Sequence, residues 1–539
     1  MSRSRLAAAI WFLGLGAVGL QALALAARYF QPWLSADYIY PQLFAEDVLA
    51  GRYPLAGWTL SSAPYFFPDM TVAIGLRALG GSGTILPAYV VFSFLALAVL
   101  AGWSLQRATS TGWAAWLAGV ALVNLLLAWQ PVADHAHYLW LLGTVGFHGG
   151  AILLGLASFA LWVGPEDGGL SRRRMIAAVT VLVLGTMSDT LFLTQAALPL
   201  GVGLWAQAGW DWRRPRVLAY ARALLGALGL VAIVRVMLAW GGWFNFSKVV
   251  RYAPTPAAIT GATANFARDV LQTLAPGAWG LLLLAGTALA VAGILWWREH
   301  LNRRPLTSAL KPAVWFSLTG LATTTLLPLV TAYWRDENHV RYILPWLVLP
   351  GWLALVWVLP KVAAWVEDVR GLTVLGLIWA GLALVALPGV RPAALRWPYP
   401  ERQAQLDEFL ASHQLRHGLS DYWHAHEINT LTHAPVFLFA LRPQANACFW
   451  SNNAFWFYES RAGGSRLTAP DYTFIITDGL DESALRRRFG EPAGQERVAG
   501  LTIWLYTGPG IGRLTRQMEA EVHDFLRGRP GAERIDRLP

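Results

Sequence analysis

Three acidic side chains follow closely on the first long apolar run of the sequence, in the stretch SADYIYPQLFAEDVLAG that begins at Ser35. A helix along the membrane surface turns by about 100° per residue and would place Asp37, Tyr40 and Phe44 on one face. A carboxylate on a face that packs against the rest of the protein can accept a proton from a reacting hydroxyl. Asp37 could instead only cap the helix, because acids favour helix N-termini. We predict Asp37 as a candidate general base, with Tyr40 beside it in a substrate site.

The other acids near apolar runs have less specific roles. Glu46 lies opposite the face of Asp37 and Asp47 lies at its flank, so we expect both to be solvated surface acids. Asp189, in GTMSDTLFLTQ, lies near the end of a predicted span, where a charge is costly unless it faces protein or water. Asp189 is therefore either a residue of a substrate pocket or a residue that stabilises a break in the helix.

Potential metal ligands occur together in PVADHAHYLW. Asp134, His135 and His137 are residue types that bind Zn²⁺, but ligands this close in the chain are geometrically cramped. We therefore favour hydrogen bonding of Asp134 to a substrate, predict no metal, and expect His148 to satisfy a neighbouring helix. The chain has one cysteine, Cys448, so an intramolecular disulfide and cysteine-based metal clusters are excluded.

Basic residues that could bind an anion lie in other polar segments. Arg341, in ENHVRYILPWLVLPGWLAL, stands just before an apolar span, where its guanidinium could form bidentate hydrogen bonds with a phosphate at headgroup height. Tyr342 follows it and would share that site. The alternative is an ordinary interfacial pair between Arg341 and Glu337. Lys248 and Arg251, in FNFSKVVRY, could contact a phosphate or simply face anionic lipids.

The elements that must position these side chains are membrane spans. The chain is 55% hydrophobic and 14% charged, with a mean hydropathy of +0.42, whereas soluble proteins average roughly 25% charged residues. Its apolar residues form blocks of about 20 residues, the length that crosses a bilayer. We predict an α-helical polytopic membrane protein with about eleven transmembrane helices, at 6–27, 84–105, 112–130, 143–163, 175–188, 190–208, 221–240, 277–297, 312–332, 342–360 and 371–390.

The distribution of charge orients these spans. A net charge of +10 could suggest nucleic-acid binding, but the basic residues cluster in alternate loops, as a membrane topology requires. The first apolar run is too long for a typical signal peptide, so we expect a retained first helix with a cytoplasmic N-terminus. An odd number of spans then puts the C-terminal region outside the cytoplasm.

The sequence divides near residue 390. Residues 1–390 form the predicted transmembrane domain with large outer loops. From residue 391 the composition changes, and DYTFIITD and GLTIWLYTG read as short β-strands on either side of DESALRRRFG, a predicted short helix. We predict a soluble, extracytoplasmic α+β domain over residues 391–539.

The order of these segments resembles the GT-C superfamily of membrane glycosyltransferases, which includes the protein mannosyltransferase-like and aminoarabinose transferase-like families. Its first outer loop has an acid, an interfacial helix, Gly and a Pro-rich stretch, which correspond here to Asp37, the helix ending in LAGRYPL, and SSAPYFFPDM. Tyr38 stands where the family often has a second acid. HVRYILPW is similar to the family's His-x-Arg-Tyr before a late helix, and the C-terminal part looks like the outer domains of bacterial GT-C-like proteins.

The resemblance implies a function at the outer face of a bacterial inner (plasma) membrane. The donor would be a sugar on a polyprenyl phosphate and the acceptor a lipid, glycan or protein, with inversion at the anomeric carbon and no cofactor. Arg341 would contact the carrier phosphate and Asp37 would be the base, with Tyr40, Tyr342, Asp134, Asp189, Lys248 and Arg251 binding substrate. Two other classes stay open, a lipid-linked glycan transporter and a non-catalytic membrane assembly or sensor protein.

Overall fold

The computed structural model describes residues 2–32, 34–80, 85–128, 137–164, 170–247, 254–274, 310–335, 337–460 and 466–535. The helices are α1 Arg3–Tyr29, α2 Ala36–Ala50, α3 Thr71–Leu79, α4 Ile85–Thr109, α5 Trp113–Ala128, α6 His137–Gly143, α7 Gly149–Trp162, α8 Arg172–Ser188, α9 Leu198–Gln207, α10 Pro215–Trp240, α11 Pro256–Leu274, α12 Leu310–Val330, α13 Pro345–Val366, α14 Val369–Ala386, α15 Glu401–Ser412, α16 Tyr422–Leu431, α17 Glu482–Phe489 and α18 Pro509–Leu526. The strands are β1 Trp58–Leu60, β2 Asn245–Phe246, β3 His417–Asp421, β4 Phe437–Leu441, β5 Asn452–Asn453, β6 Glu459–Ser460, β7 Leu467–Thr468, β8 Phe474–Ile476, β9 Gly494–Val498 and β10 Leu501–Leu505.

Most of this structure is helical, and the apolar helices indicate a membrane-embedded protein. Among the described residues, six helical segments are long and apolar enough to cross a bilayer. They are Arg3–Tyr29, Ile85–Thr109, Pro215–Trp240, Leu310–Val330, His339–Val366 and Val369–Gly389.

Six is fewer than the eleven spans predicted, and the difference has identifiable causes. α5 and α7 are apolar but only 16 and 14 residues long, too short for roughly 30 Å of hydrocarbon at about 1.5 Å per residue. The predicted spans 175–188 and 190–208 are separate helices, α8 and α9, divided at the extended residue Asp189 as predicted, but at 17 and 10 residues they are shorter than the roughly 20 residues of a span. The predicted span 277–297 lies outside the described residues.

The apolar helices pack through small residues and buried polar pairs. α1 packs against α4, α5 and α14. α4 and α5 approach closely where Gly102 meets Gly119, because neither residue has a side chain to separate the backbones. Between α1 and α5, the Gln21 amide donates to Asn124 Oδ1 at 2.6 Å, so two buried polar side chains satisfy each other.

The C-terminal region contains a five-stranded mixed sheet in the order β4-β3-β8-β10-β9. β3 is parallel to β4 and β8, whereas β10 is antiparallel to β8 and β9. Successive side chains of a strand point to opposite faces, and Ile475 accordingly packs with α17 and α18 while Phe474 and Ile476 pack with α15 and α16. Helices therefore cover both faces, and the segments predicted as two strands and a helix are present as β8, β10 and α17.

A second sheet joins the loops of the helical part to the C-terminal region. Its order is β2-β1-β5, with β1 from the loop after α2, β2 from the loop after α10, and β5 from the C-terminal region. Trp58 of β1 pairs with Asn453 of β5 in antiparallel register, and Leu60 pairs with Phe246 of β2 in parallel. Because α2 also packs against α16, the two parts of the molecule meet around α2.

Candidate functional site

Helix α2 carries the predicted base where the helical part contacts the C-terminal region. Tyr40, Phe44 and Val48 share one apolar cluster, as the helical period predicts. Ala36, in the first turn, instead packs in the apolar cluster formed by α15, α16 and the five-stranded sheet. Asp37 follows Ala36 and therefore lies at the junction between the two parts, where it remains partly exposed.

Asp37 lies within electrostatic reach of one basic side chain and close to one phenolic hydroxyl. Burial raises the pKa of the Asp37 carboxyl, while the positive charge of Arg341 and the hydroxyl of Tyr422 oppose that rise. Tyr422 is the first residue of α16, so the C-terminal region contributes a side chain directly to this site. Burial also raises the pKa of Tyr422, and the negative charge of Asp37 raises it further. Sequence reasoning misses Tyr422 because no local pattern connects α16 with α2.

Arg341 lies among aromatic rings in the turn before α13. Its guanidinium carbon is 5.8 Å from the ring centre of Phe147 and 5.5 Å from that of Tyr342. Phe147 in turn packs on Tyr38, with ring centres 4.6 Å apart. Arg341 Nε is buried and has no hydrogen-bond partner among the residues that the structure describes. A guanidinium with an unused buried donor is suited to bind an anion that enters the site.

The structure brings His148 and Asp189 together from separate segments. His148 stands before α7 in a left-handed backbone conformation (φ 68°), and Asp189 follows α8. His148 Nδ1 lies 2.6 Å from Asp189 Oδ2, and His148 Nε2 lies 3.3 Å from the Tyr65 hydroxyl. The ring centre of Tyr342 is 5.6 Å from that of His148, which places this triad next to Arg341. A carboxylate bonded to one imidazole nitrogen fixes the tautomer and allows the other nitrogen to exchange a proton.

Asp69 is a buried acid that sequence reasoning did not single out. Its side chain is almost wholly buried, and its Oδ1 accepts the backbone N–H of Gly146 at 2.8 Å. Burial raises the pKa of Asp69 to about 7; the Gly146 N–H opposes the rise and the charge of Asp189 adds to it. Burial likewise raises the pKa of Tyr40, and the charges of Asp69, Asp37 and Asp189 contribute to that shift. Three carboxylates therefore lie within electrostatic reach of Tyr40.

The expectation that Asp47 is a solvated surface acid is wrong. The residue is only 7% exposed. Its carboxylate accepts hydrogen bonds from the Trp58 indole at 2.8 Å, the Asn453 amide at 2.7 Å and the Trp456 indole at 2.9 Å. Burial raises the pKa of Asp47 to about 6, although the three donors oppose the shift. Asp47 therefore connects α2 through hydrogen bonds with β1 and with the C-terminal region.

Other predicted residues stand apart from this cluster or outside the description. Glu46 is partly exposed, and its Oε1 lies 3.5 Å from Arg77 Nε, on the side of α2 opposite Asp37. Among the described residues, no group of three or more His, Cys, Asp or Glu side chains could hold a metal ion. The predictions that fall outside the described residues concern Asp134, His135, Lys248 and Arg251, together with the side chains of His137 and Glu337.

The fold and the site define the class of protein only coarsely, as a membrane-embedded helical protein with a C-terminal region built around a mixed sheet. Comparison with known protein families finds no family model that matches the chain, and comparison with curated proteins finds no match either. The residues around Asp37 and Arg341 are therefore the features of this molecule that bear on its function.

Proposed function

We propose that the protein is a GT-C-type membrane glycosyltransferase, which moves a sugar from a polyprenyl-phosphate carrier to a lipid, glycan or protein acceptor at the outer face of a bacterial inner membrane. The pairing of Asp37 with Arg341 carries this proposal. A partly exposed carboxylate and a guanidinium with an unused donor lie within electrostatic reach of each other near the junction of the helical part and the C-terminal region. Together they supply a base and an anion-binding group.

Glycosyl transfer from a lipid phosphate develops charge at two places. Cleavage of the bond between the anomeric carbon and the phosphate oxygen leaves negative charge on the phosphate, which Arg341 would stabilise. The acceptor hydroxyl forms the new bond from the opposite face of the sugar, which inverts the anomeric centre, and its proton passes to Asp37. The products are the glycosylated acceptor and the polyprenyl phosphate, and Asp37 then releases its proton to water.

The surroundings of Asp37 suit a base. Burial raises the pKa of its carboxyl, which increases its affinity for the acceptor proton, while the charge of Arg341 favours the ionised form that must accept it. Tyr422 places a hydroxyl from the C-terminal region beside the carboxylate. The C-terminal region would thus complete the acceptor side of the site.

We assign the neighbouring polar side chains to substrate binding. Tyr342 packs beside Arg341, and its ring lies next to the imidazole of His148, which Asp189 holds through a 2.6 Å hydrogen bond. Tyr40 lies among the carboxylates of the site. Hydroxyl, imidazole and carboxylate groups of this kind bind the hydroxyls of a sugar through directed hydrogen bonds.

We place the N-terminus in the cytoplasm and the C-terminal region outside it. The alternation of basic residues between successive loops supports this topology. In this arrangement the site around Asp37 lies at the outer membrane surface, where the phosphate of a lipid carrier would be found.

Transfer of radiolabelled sugar in proteoliposomes tests the proposal. The donors are a panel of hexoses and pentoses linked to undecaprenyl phosphate, and the acceptors are a membrane lipid extract. We expect Asp37→Asn to lower the transfer rate by about 100-fold or more, because it removes a general base while keeping the size of the side chain. Glu46→Gln is the matched control on the same helix, since Glu46 faces Arg77 instead, and we expect a rate close to that of the wild type.

Three results would contradict the proposal. Undiminished transfer by Asp37→Asn would remove Asp37 as the base. Movement of intact lipid-linked sugar across the proteoliposome membrane, with no transfer from any donor, would instead identify a transporter. If neither transfer nor movement occurs, the non-catalytic assembly or sensor class replaces the transferase.

A further inference from the structure

A groove of about 480 Å³ runs between α1, the end of α5 and the end of α14. This volume lies in the range of roughly 300–1,000 Å³ that is typical of small-molecule sites. Most of its walls are apolar, with Ala24, Ala27, Leu127, Leu382, Val385 and Ala386. None of the lining residues belongs to the site around Asp37, so the groove is a separate feature of the molecule.

The groove opens on a surface that a bilayer would cover. Both α1 and α14 are long and apolar enough to cross a membrane. Beside the groove, Leu384 and Val385 of α14 are 69% and 73% exposed, as expected for side chains that contact lipid. A molecule that entered the groove would therefore come from the bilayer.

One end of the groove is strongly basic. Arg28, in the last turn of α1, and Arg391, just after the turn that follows α14, both line the groove and are exposed. Within the part of the chain that the structure describes, Arg391 makes no ion pair. Two guanidinium groups at the mouth of an apolar groove complement a phosphate whose attached chain lies along the apolar walls.

We infer that this groove binds an anionic glycerophospholipid, with its phosphate between Arg28 and Arg391 and one acyl chain along α1 and α14. The size of the groove favours this occupant, because 480 Å³ is close to the volume of one acyl chain, whereas most of a polyprenyl chain would extend beyond its walls. Near Ala24 the turn after α14 touches α1, since a Cβ at Gly389 would lie 3.0 Å from the Ala24 Cβ. A lipid held beside this contact would bridge the first and last apolar helices of the described chain.

Native mass spectrometry of the full-length protein released from detergent micelles tests the inference. The probes are phosphatidylglycerol, phosphatidylcholine and undecaprenyl phosphate. We expect the wild type to retain phosphatidylglycerol over phosphatidylcholine and the double variant Arg28→Gln/Arg391→Gln to bind it about 25-fold more weakly, at about five-fold for each arginine. Arg3→Gln/Arg5→Gln makes the same charge change at the other end of α1 and should retain the lipid.

A second pair of variants keeps both arginines. Ala386→Trp fills the groove and should lose phosphatidylglycerol, whereas Leu384→Trp, which lies outside the groove on the same helix, should retain it. Equal retention by the wild type and both groove variants would overturn the inference. So would preferential retention of undecaprenyl phosphate by the wild type, or retention of phosphatidylcholine as strong as that of phosphatidylglycerol.

Discussion

The two ends of helix α2 hold acids in opposite surroundings. At the C-terminal end, Asp47 accepts hydrogen bonds from three donors that belong to β1 and the C-terminal region. At the N-terminal end, Asp37 lies within electrostatic reach of Arg341, whose Nε has no hydrogen-bond partner in the described chain. A carboxylate that accepts hydrogen bonds from three fixed donors holds the structure together, whereas one near a donor with no partner leaves capacity for a ligand. One short helix thus carries a structural acid and a candidate catalytic acid.

Substitution at the two ends should affect stability very differently. Asp47→Ala leaves the N–H groups of Trp58, Asn453 and Trp456 without an acceptor, each at a cost of about 1–3 kcal/mol. We expect it to lower the free energy of unfolding by about 4 kcal/mol, and Asp37→Asn to change it by less than about 1 kcal/mol. Urea unfolding in detergent micelles, followed by tryptophan fluorescence, measures both. Equal losses at the two ends would remove the distinction between them.

The raised pKa of Asp47 predicts the direction of its pH dependence. Burial raises this pKa from 3.8 to about 6, so between these values the folded protein holds a proton that the unfolded chain has released. The stabilisation that protonated Asp47 gives the folded state is fully present below about pH 4 and is lost as the pH rises through 6. We expect the difference in unfolding free energy between wild type and Asp47→Ala to shrink by up to about 3 kcal/mol from pH 4 to 7. A difference that grows over this range would contradict the assignment.

At the other end of α2, Arg341 should affect transfer rather than stability. We expect Arg341→Gln to lower the transfer rate by about 100-fold, because it removes the charge that stabilises the leaving phosphate. Arg341→Lys should lose only about tenfold, since lysine keeps the charge but not the planar pair of donors. Arg335→Gln, at an exposed position in the same loop, is the control. Identical rates for Arg341→Lys and Arg341→Gln would show that the positive charge contributes nothing, which contradicts this role.

The smallest effect is expected from the His148–Asp189 pair, which acts on the site through its neighbours. We expect His148→Asn and Asp189→Asn each to lower transfer by about tenfold, and the double variant to be no worse than either single one, because the two residues form one unit. A double-mutant cycle measures this coupling, and the pH–rate profile should move in the same way in all three variants. Losses that multiply would mean that the residues act independently.

The sequence is sufficient to predict contacts that depend on local geometry. The helical period brings Tyr40, Phe44 and Val48 together on α2, and the structure places them in one cluster. The burial of Asp47 could not be predicted, because its partner Asn453 is 406 residues away. The same reason applies to His148 and Asp189, which are 41 residues apart and meet only when the segments around α7 and α8 pack. Contacts between distant segments depend on tertiary packing that no local pattern encodes.

The helices illustrate the same limit. Apolar runs predict where the helices lie, because the hydrophobicity of a segment depends only on its own consecutive residues. Their lengths depend on where the backbone turns, and this depends on distant partners. Asp189 ends α8 in an extended conformation and bonds with His148, so the break that the sequence predicts there is stabilised by a contact with a distant segment.

The position of a bound carrier phosphate tests the central claim most directly. Electron cryomicroscopy of the protein in nanodiscs with undecaprenyl phosphate would locate that phosphate relative to Asp37 and Arg341. We predict phosphate oxygens within hydrogen-bond distance, about 2.7–2.9 Å, of the Arg341 guanidinium, with the Asp37 carboxylate facing the same cavity. A carrier phosphate bound between Arg28 and Arg391, with nothing at Arg341, would contradict the proposed site.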